Sequence, residues 1–208
     1  MTRTLVIDSA TDACSVALFD GRDLVAGEWV LLGRGHAERL IPMIAALPGR
    51  GKADRIVVAL GPGSFTGIRV GLAAAKALAV AWQAEVTGYA TPSLLAAQAR
   101  SERGSAALSV VNTGGHGEWF VENFDAAGLS MGSVRSLRPE EAAEAVTADL
   151  VVGSQAEALV ARRGYGNAMP LSPDARCFAA LDEQALIARA SPIYGREPDA
   201  KPAARKAK

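Results

Sequence analysis

The sequence predicts a duplicated α/β fold, two lobes each with a mixed sheet and flanking helices. Three observations predict it. The order strand-strand-strand-helix-strand-helix can be traced twice along the 208 residues. A polar stretch over 100–105 separates the two tracings. Half of the residues are hydrophobic, on a chain long enough to bury the core of one large domain or of two small lobes. The expected division is 1–103 for the first lobe, 104–190 for the second, and 191–208 for an extension whose end is disordered.

In the first lobe, 4–7, 15–19 and 24–31 are apolar or β-branched and are joined by short polar turns, one of them Asp20-Gly21, which suits an antiparallel meander. Leu40, Ile41, Ile44 and Leu47 recur at helical spacing over 36–47, with Pro42 either kinking that helix or sitting in its first turn. A strand over 56–60, a helix over 67–82, a short strand near Val86 and a helix over 93–99 come next. In the second lobe, strands over 108–111 and 119–124 flank the hairpin loop Gly114-Gly115-His116-Gly117. A weaker strand is expected over 131–134, then a helix over 140–146 opened by Pro139, a strand over 150–152 and a helix over 155–162. A last helix is expected over 178–189.

Composition excludes several function classes. Lys plus Arg and Asp plus Glu number 22 each, which argues against a chain that grips nucleic acid alone. The two cysteines, Cys14 and Cys177, lie far apart and imply a reduced intracellular protein. Asp8 interrupts the first apolar run, so no signal-peptide core is present, and the apolar segment 68–82 carries Arg69 and Lys76. A soluble, cytoplasmic protein is expected. With only His36 and His116, no two-histidine metal site of the H-E-x-x-H type can form, and neither histidine is spaced for a serine triad. His36 is placed to cap or contact a neighbour, and His116 to face solvent.

The most informative stretch is Gly61-Pro62-Gly63-Ser64-Phe65-Thr66-Gly67, between a strand and a helix. It lacks the lysine of a phosphate-binding P-loop, the glycine spacing of a dinucleotide fingerprint, and the G-x-S-x-G of a nucleophile elbow. The helix it opens is more telling. Gly67, Gly71 and Ala75 form a smooth ridge that another helix can approach closely, while Val70, Ala73, Ala77 and Val80 make the other side apolar too. A helix apolar nearly all round is either central to its own domain or shared with a partner. Asp8-Ser9-Ala10-Thr11 is either an ordinary hairpin turn or a phosphate-binding turn, with Asp8 orienting a metal-bound phosphate and Ser9 and Thr11 bonding to it. Lys201, Arg205, Lys206 and Lys208 read as a solvated end, with a nucleic-acid contact as the alternative.

Three segments carry a resemblance. They are Ile7-Asp8-Ser9-Ala10-Thr11-Asp12-Ala13-Cys14-Ser15-Val16-Ala17-Leu18, His36-Ala37-Glu38-Arg39-Leu40-Ile41-Pro42, and the Gly-Pro-Gly-Ser-Phe-Thr-Gly-Ile-Arg-Val-Gly run from Gly61 to Gly71. Together they resemble the TsaB (YeaZ) family, accessory subunits of bacterial tRNA threonylcarbamoyladenosine synthesis. The ending Pro192-Ile193-Tyr194-Gly195-Arg196 is similar to that family's closing Pro-x-Tyr-Leu-Arg. The second lobe departs from the pattern. Many members have Asp-Ala-Arg and then Gly-Glu-Val-Tyr there, where this chain has Val111-Asn112-Thr113-Gly114-Gly115-His116-Gly117-Glu118-Trp119.

The resemblance implies an actin/Hsp70/sugar-kinase-like (ribonuclease H-like) fold. It implies pairing with a TsaD-type catalytic subunit, which transfers threonylcarbamoyl from its adenylate to adenosine 37 of tRNAs reading ANN codons. A TsaE-type ATPase joins them, tRNA is met through the complex, and no membrane is involved. A homodimer is the alternative when the chain is alone. The metal-binding histidines of the catalytic relative are missing from Gly88-Tyr89-Ala90-Thr91-Pro92-Ser93-Leu94-Leu95-Ala96, so the implied role is non-catalytic. The implied interface comprises His36, Glu38, Leu40, Ile41, Ile44, Gly63, Phe65, Gly67, Val70, Gly71, Ala73, Ala74 and Ala77. No tightly bound cofactor is expected, with ATP or ADP and Mg at a shared interface left open. The rival enzyme reading is an ATP-dependent phosphotransferase with Asp8, Ser9 and Thr11 around the phosphates; a peptidase is a further rival.

Overall fold

The computed structural model describes residues 2–195. The first sheet is built from β1 (Arg3–Asp8), β2 (Ala13–Asp20), β3 (Asp23–Leu31), β4 (Arg55–Ala59) and β5 (Glu85–Tyr89) in the order β3-β2-β1-β4-β5. The meander is antiparallel, and β4 and β5 run parallel to β1. The parallel strands carry continuous apolar runs such as Ile56-Val57-Val58, as strands covered on both faces do. The crossovers are α1 (His36–Ala46) and α2 (Phe65–Trp82), with Pro42 inside α1.

The second sheet repeats the arrangement. Its strands β6 (Leu108–Thr113), β7 (Trp119–Phe124), β8 (Arg135–Leu137), β9 (Leu150–Val152) and β10 (Asn167–Met169) are ordered β10-β9-β6-β7-β8. Again three strands are antiparallel, and the last two run parallel to the first. Helices α4 (Pro139–Ala145) and α5 (Ala156–Arg163) take the places of α1 and α2. The same strand order in both halves is the duplicated α/β arrangement expected from the sequence. Between them, α3 (Thr91–Arg103) serves both lobes: Leu94 enters the first core, whereas Leu95, Ala96 and Ala99 pack with Leu108, Val110 and Phe124 of the second.

Three expectations are corrected. The strand expected over 131–134 lies at Arg135–Leu137, because a turn closed by Asp125 Oδ1 accepting from Leu129 N, at 2.9 Å, delays the return of the chain. Strand β10 was not expected at all. The helix expected over 178–189 is replaced by two short 3-10 turns, Ala175–Ala180 and Glu183–Ala185, each opened by an aspartate side chain (Asp174, Asp182) that accepts a backbone N–H. Beyond them, Ile187 exchanges backbone hydrogen bonds of 2.7 and 3.0 Å with Gly88 on the outer edge of β5. Edge pairing satisfies donors that a helix would otherwise have used, and it also protects the sheet edge.

Residues 173–187, expected with the second lobe, therefore pack on the first. Phe178 stacks edge-on against Phe19 at 5.7 Å, Ala175 N donates to Ser15 Oγ at 2.9 Å, and Trp29 Nε1 donates to the carbonyl of Pro173 at 3.2 Å. The basic residues Lys201, Arg205, Lys206 and Lys208, like Arg196, lie outside the described residues.

Candidate docking surface and interlobe cleft

The glycine-rich loop is held against the β1–β2 turn. Ser64 N donates to the carbonyl of Ala10 at 2.7 Å, and a Cβ on Gly63 would stand only 1.9 Å from that same oxygen. At the start of α2, Ser64 Oγ caps Gly67 N at 3.2 Å, and Ser9 Oγ donates to the carbonyl of Gly67 at 2.9 Å. A Cβ on Gly67 would lie 2.0 Å from the Ser9 carbonyl oxygen, and one on Gly71 would lie 2.6 Å from Ser9 Oγ. The small-residue ridge of α2 therefore faces inward, onto the protein's own first turn. The expectation that this ridge receives a helix of another protein is corrected: its glycines are spent on internal close packing.

The turn residues are spent in the same way. Asp8 is 1 % exposed; its Oδ1 accepts from Ala10 N at 3.0 Å and its Oδ2 from the Tyr89 hydroxyl at 2.8 Å. Burial pushes the Asp8 carboxyl up to about 6, against the opposing pull of those two hydrogen bonds. Burial, and then the neighbouring Asp8, push the Tyr89 hydroxyl well above its ordinary value. Of the three phosphate-contact candidates, Asp8 and Ser9 are buried, and only Thr11 lines a cleft, with its Oγ1 accepting from Ala13 N.

That cleft, of about 410 Å³, lies between the lobes. The first lobe lines it with Thr11, Asp12 and the 62–65 segment; the second contributes Asn112, Thr113 and Ser154. Asn112 Oδ1 accepts from Ser154 N at 3.0 Å, and Ser154 Oγ from Thr113 N at 3.0 Å, so the second-lobe wall is cross-linked. Among the described residues no lysine or arginine lines the cleft, and Asp12 does. A triphosphate would meet a carboxylate and no side-chain cation there. The cleft thus lacks the cationic side chain that would hold a nucleotide's phosphates without a metal ion.

Among the described residues no group of three His, Cys, Asp or Glu is placed to hold a metal ion. Ser64 Oγ is a helix cap, and the His36 ring is buried with its Nε2 3.3 Å from the Ala13 carbonyl. His116 is exposed on the second-lobe hairpin. Both cysteines are free; burial pushes the Cys14 thiol up to about 11 and raises that of Cys177 as well, so neither is activated.

The surface that stands open is the outer face of α1 and α2, which pack side by side. Of the interface candidates, His36, Leu40, Ile44, Gly67 and Gly71 are buried in the chain's own core, and Gly63, Val70 and Ala74 are half-buried. Glu38, Ile41, Phe65, Ala73 and Ala77 are exposed. Val80 joins them at 83 % exposure, against 49 % for Ile41 and 56 % for Phe65. Helix α2 is long and apolar enough to cross a membrane by length and composition. Its Ile68, Leu72, Ala75 and Ala79, however, are buried within the first lobe, so part of that apolarity serves the core. Arg69 and Tyr194, stacked with Phe65, are further residues of this surface that the sequence did not single out. Periodicity places Arg69 on α2, but nothing local tells that residue 194 returns to it.

Known proteins resemble this chain in sequence and in fold. The family model described as TsaD, tRNA N6-adenosine threonylcarbamoyltransferase, matches residues 31–150, more than half of the chain. The protein named tRNA threonylcarbamoyladenosine biosynthesis protein TsaB from Escherichia coli (strain K12) is 38% identical over 109 residues, 50% of this chain and 46% of that relative. The chain spans about half the length of the curated relatives it matches. Among solved structures, YeaZ from Pseudomonas aeruginosa superposes with a TM-score of 0.77 at 25% identity, over 93% of this chain and 100% of that one. A second Pseudomonas aeruginosa protein, described as similar to peptidase YeaZ, gives a TM-score of 0.78 at 27% identity, over 94% and 100%. The overall fold is thus shared with YeaZ, and the chain belongs to the TsaB (YeaZ) family.

Proposed function

We propose that this chain is the non-catalytic partner subunit of the bacterial, cytoplasmic assembly that installs N6-threonylcarbamoyladenosine at position 37 of tRNAs reading ANN codons. It docks a TsaD-type transferase through the outer face of α1 and α2. A TsaE-type ATPase and the tRNA are met through the assembled complex. The single observation that carries this reading is the exposed apolar strip of Ile41, Ala73, Ala77 and Val80 on two adjacent helices whose opposite faces are buried in the core. Water-exposed apolar surface of this kind is stabilised by a partner. The name of the Escherichia coli relative supports the pathway. The absence of histidine from 88–96 supports the non-catalytic role. The cleft without a side-chain cation weighs against a free-standing phosphotransferase.

Reconstitution tests it. With TsaD-type and TsaE-type subunits, the threonylcarbamoyl donor and tRNA, modification is expected to depend on this chain. Val80→Asp is expected to weaken binding to the TsaD-type subunit by at least about tenfold, because it buries an unpaired carboxylate at the contact. Its thermal melt is expected to match the wild type, Val80 being almost fully exposed. Gly71→Glu would instead drive a side chain into Ser9 and report on folding. Modification that proceeds equally without the chain overturns the reading; so does turnover of Mg-ATP by the chain alone.

A further inference from the structure

The outer face of α2 has a charge pattern as well as an apolar strip. In its 18 residues the charged side chains are Arg69 and Lys76, with no acid. Seven residues apart, they stand two turns, or about 10.5 Å, from each other along the helix, flanking Ala73. Arg69 is not a loose surface arginine. Its Cζ lies 3.3 Å from the centroid of the Phe65 ring and 5.7 Å from that of Tyr194, and the two rings are 5.8 Å apart. Tyr194 is itself anchored: Ile193 N donates to the Leu60 carbonyl at 2.7 Å, and a Cβ on Gly195 would meet the Phe120 ring at 2.5 Å and Pro62 at 3.1 Å. Residues 193–195 thus thread between the lobes and set one wall of the arginine's bracket. Arg69 has no ion-pair partner among the described residues.

A guanidinium held over one aromatic ring, with a second ring beside it, has already lost much of its rotamer freedom, and it has no ion-pair partner among the described residues. That arrangement is suited to bidentate capture of a carboxylate. We propose that Arg69, in the bracket of Phe65 and Tyr194, is the specificity-determining residue of the α2 face, and that it takes a carboxylate from the facing helix of the partner protein. The inference rests on the proposed docking role and names the chemistry of the partner's surface: an apolar strip flanked by acids that match Arg69 and Lys76. A second copy of this chain fits less well. Two-fold packing of α2 on α2 brings like cations together, and neighbouring α1 offers a single acid, Glu38. An RNA backbone fits less well too, because Ile41, Ala73, Ala77 and Val80 give it nothing to bond.

The test is the dissociation constant of the full chain for the TsaD-type subunit, measured by calorimetry at low and at physiological salt, with melts as folding controls. Arg69→Glu is expected to weaken binding by about a hundredfold, and Tyr194→Ala, which keeps the charge but opens the bracket, by about tenfold. Arg69→Lys is expected to fall between wild type and Arg69→Glu. A charge-swapped partner, with the facing carboxylate replaced by arginine, is expected to recover affinity for Arg69→Glu. Wild-type affinity in Arg69→Glu, alongside loss in Val80→Asp, overturns this inference and leaves the docking reading standing. Wild-type affinity in both overturns both. Loss confined to self-association, or to binding of tRNA by the chain alone, assigns Arg69 to another occupant and also overturns it.

Discussion

Gly67→Ala is expected to destabilise the chain by about 3 kcal/mol or more, although alanine is the better helix former by about 1 kcal/mol. The added Cβ would stand 2.0 Å from the Ser9 carbonyl oxygen, a backbone atom that cannot swing aside. Gly63→Ala is expected to cost a similar amount, since its Cβ would stand 1.9 Å from the Ala10 carbonyl oxygen. Either change must part the 61–67 loop from the β1–β2 turn, breaking the bonds from Ser64 N to Ala10 and from Ser9 Oγ to Gly67. Gly115→Ala is the control: nothing lies within 4 Å of its would-be Cβ, and its stability is expected to stay within about 0.5 kcal/mol of wild type. Urea melts of the three variants decide it. Equal midpoints for Gly67→Ala and Gly115→Ala would mean that the turn and loop are not in close contact.

Stability is expected to fall by up to about 3 kcal/mol as pH rises from 4 to 6.5, because of Asp8. The sign comes from the direction of the shift. The carboxyl is held at about 6 in the fold and titrates at 3.8 without it, so the folded chain keeps a proton that the unfolded chain has already released. The stabilising contribution is complete below pH 3.8 and lost as pH passes 6. Asp8→Asn removes the titration. Its amide oxygen can still accept from Ala10 N, and its amide nitrogen can donate to the Tyr89 oxygen. The variant is therefore expected to be at least as stable as wild type at pH 7 and to show a flatter pH profile. The remaining slope comes from groups such as Glu122, also raised by burial and held by Ser130. An unchanged slope in Asp8→Asn would assign the effect elsewhere.

Most of the first lobe was legible because its signals are local. Alternating and continuous apolar runs, the Asp20-Gly21 turn and the helical spacing of Leu40 and Ile44 each act within a few residues. The second lobe was less so. β10 is the short run Asn167-Ala168-Met169, with no β-branched residue to mark it. Residues 178–189 look helical, yet Asp182 and the free edge of β5 draw that backbone elsewhere. The candidate site shows the same limit. Periodicity shows that α2 is small on one side and apolar on the other, but not which side is turned inward. That is decided by Ser9, 58 residues from Gly67, and no local pattern encodes it. Arg69 and Tyr194 are farther apart still in the chain, and their bracket emerges only when residues 193–195 return between the lobes.

The most direct measurement is site-specific cross-linking in solution. A photoreactive side chain placed at Val80, on the outer face of α2, is compared with one at Met131, which is 64 % exposed on the second lobe. Mixed with the TsaD-type subunit, the probe at 80 is expected to give a covalent adduct with that subunit, and the probe at 131 is expected to give none. An adduct from 131 and none from 80 would contradict docking through α1 and α2.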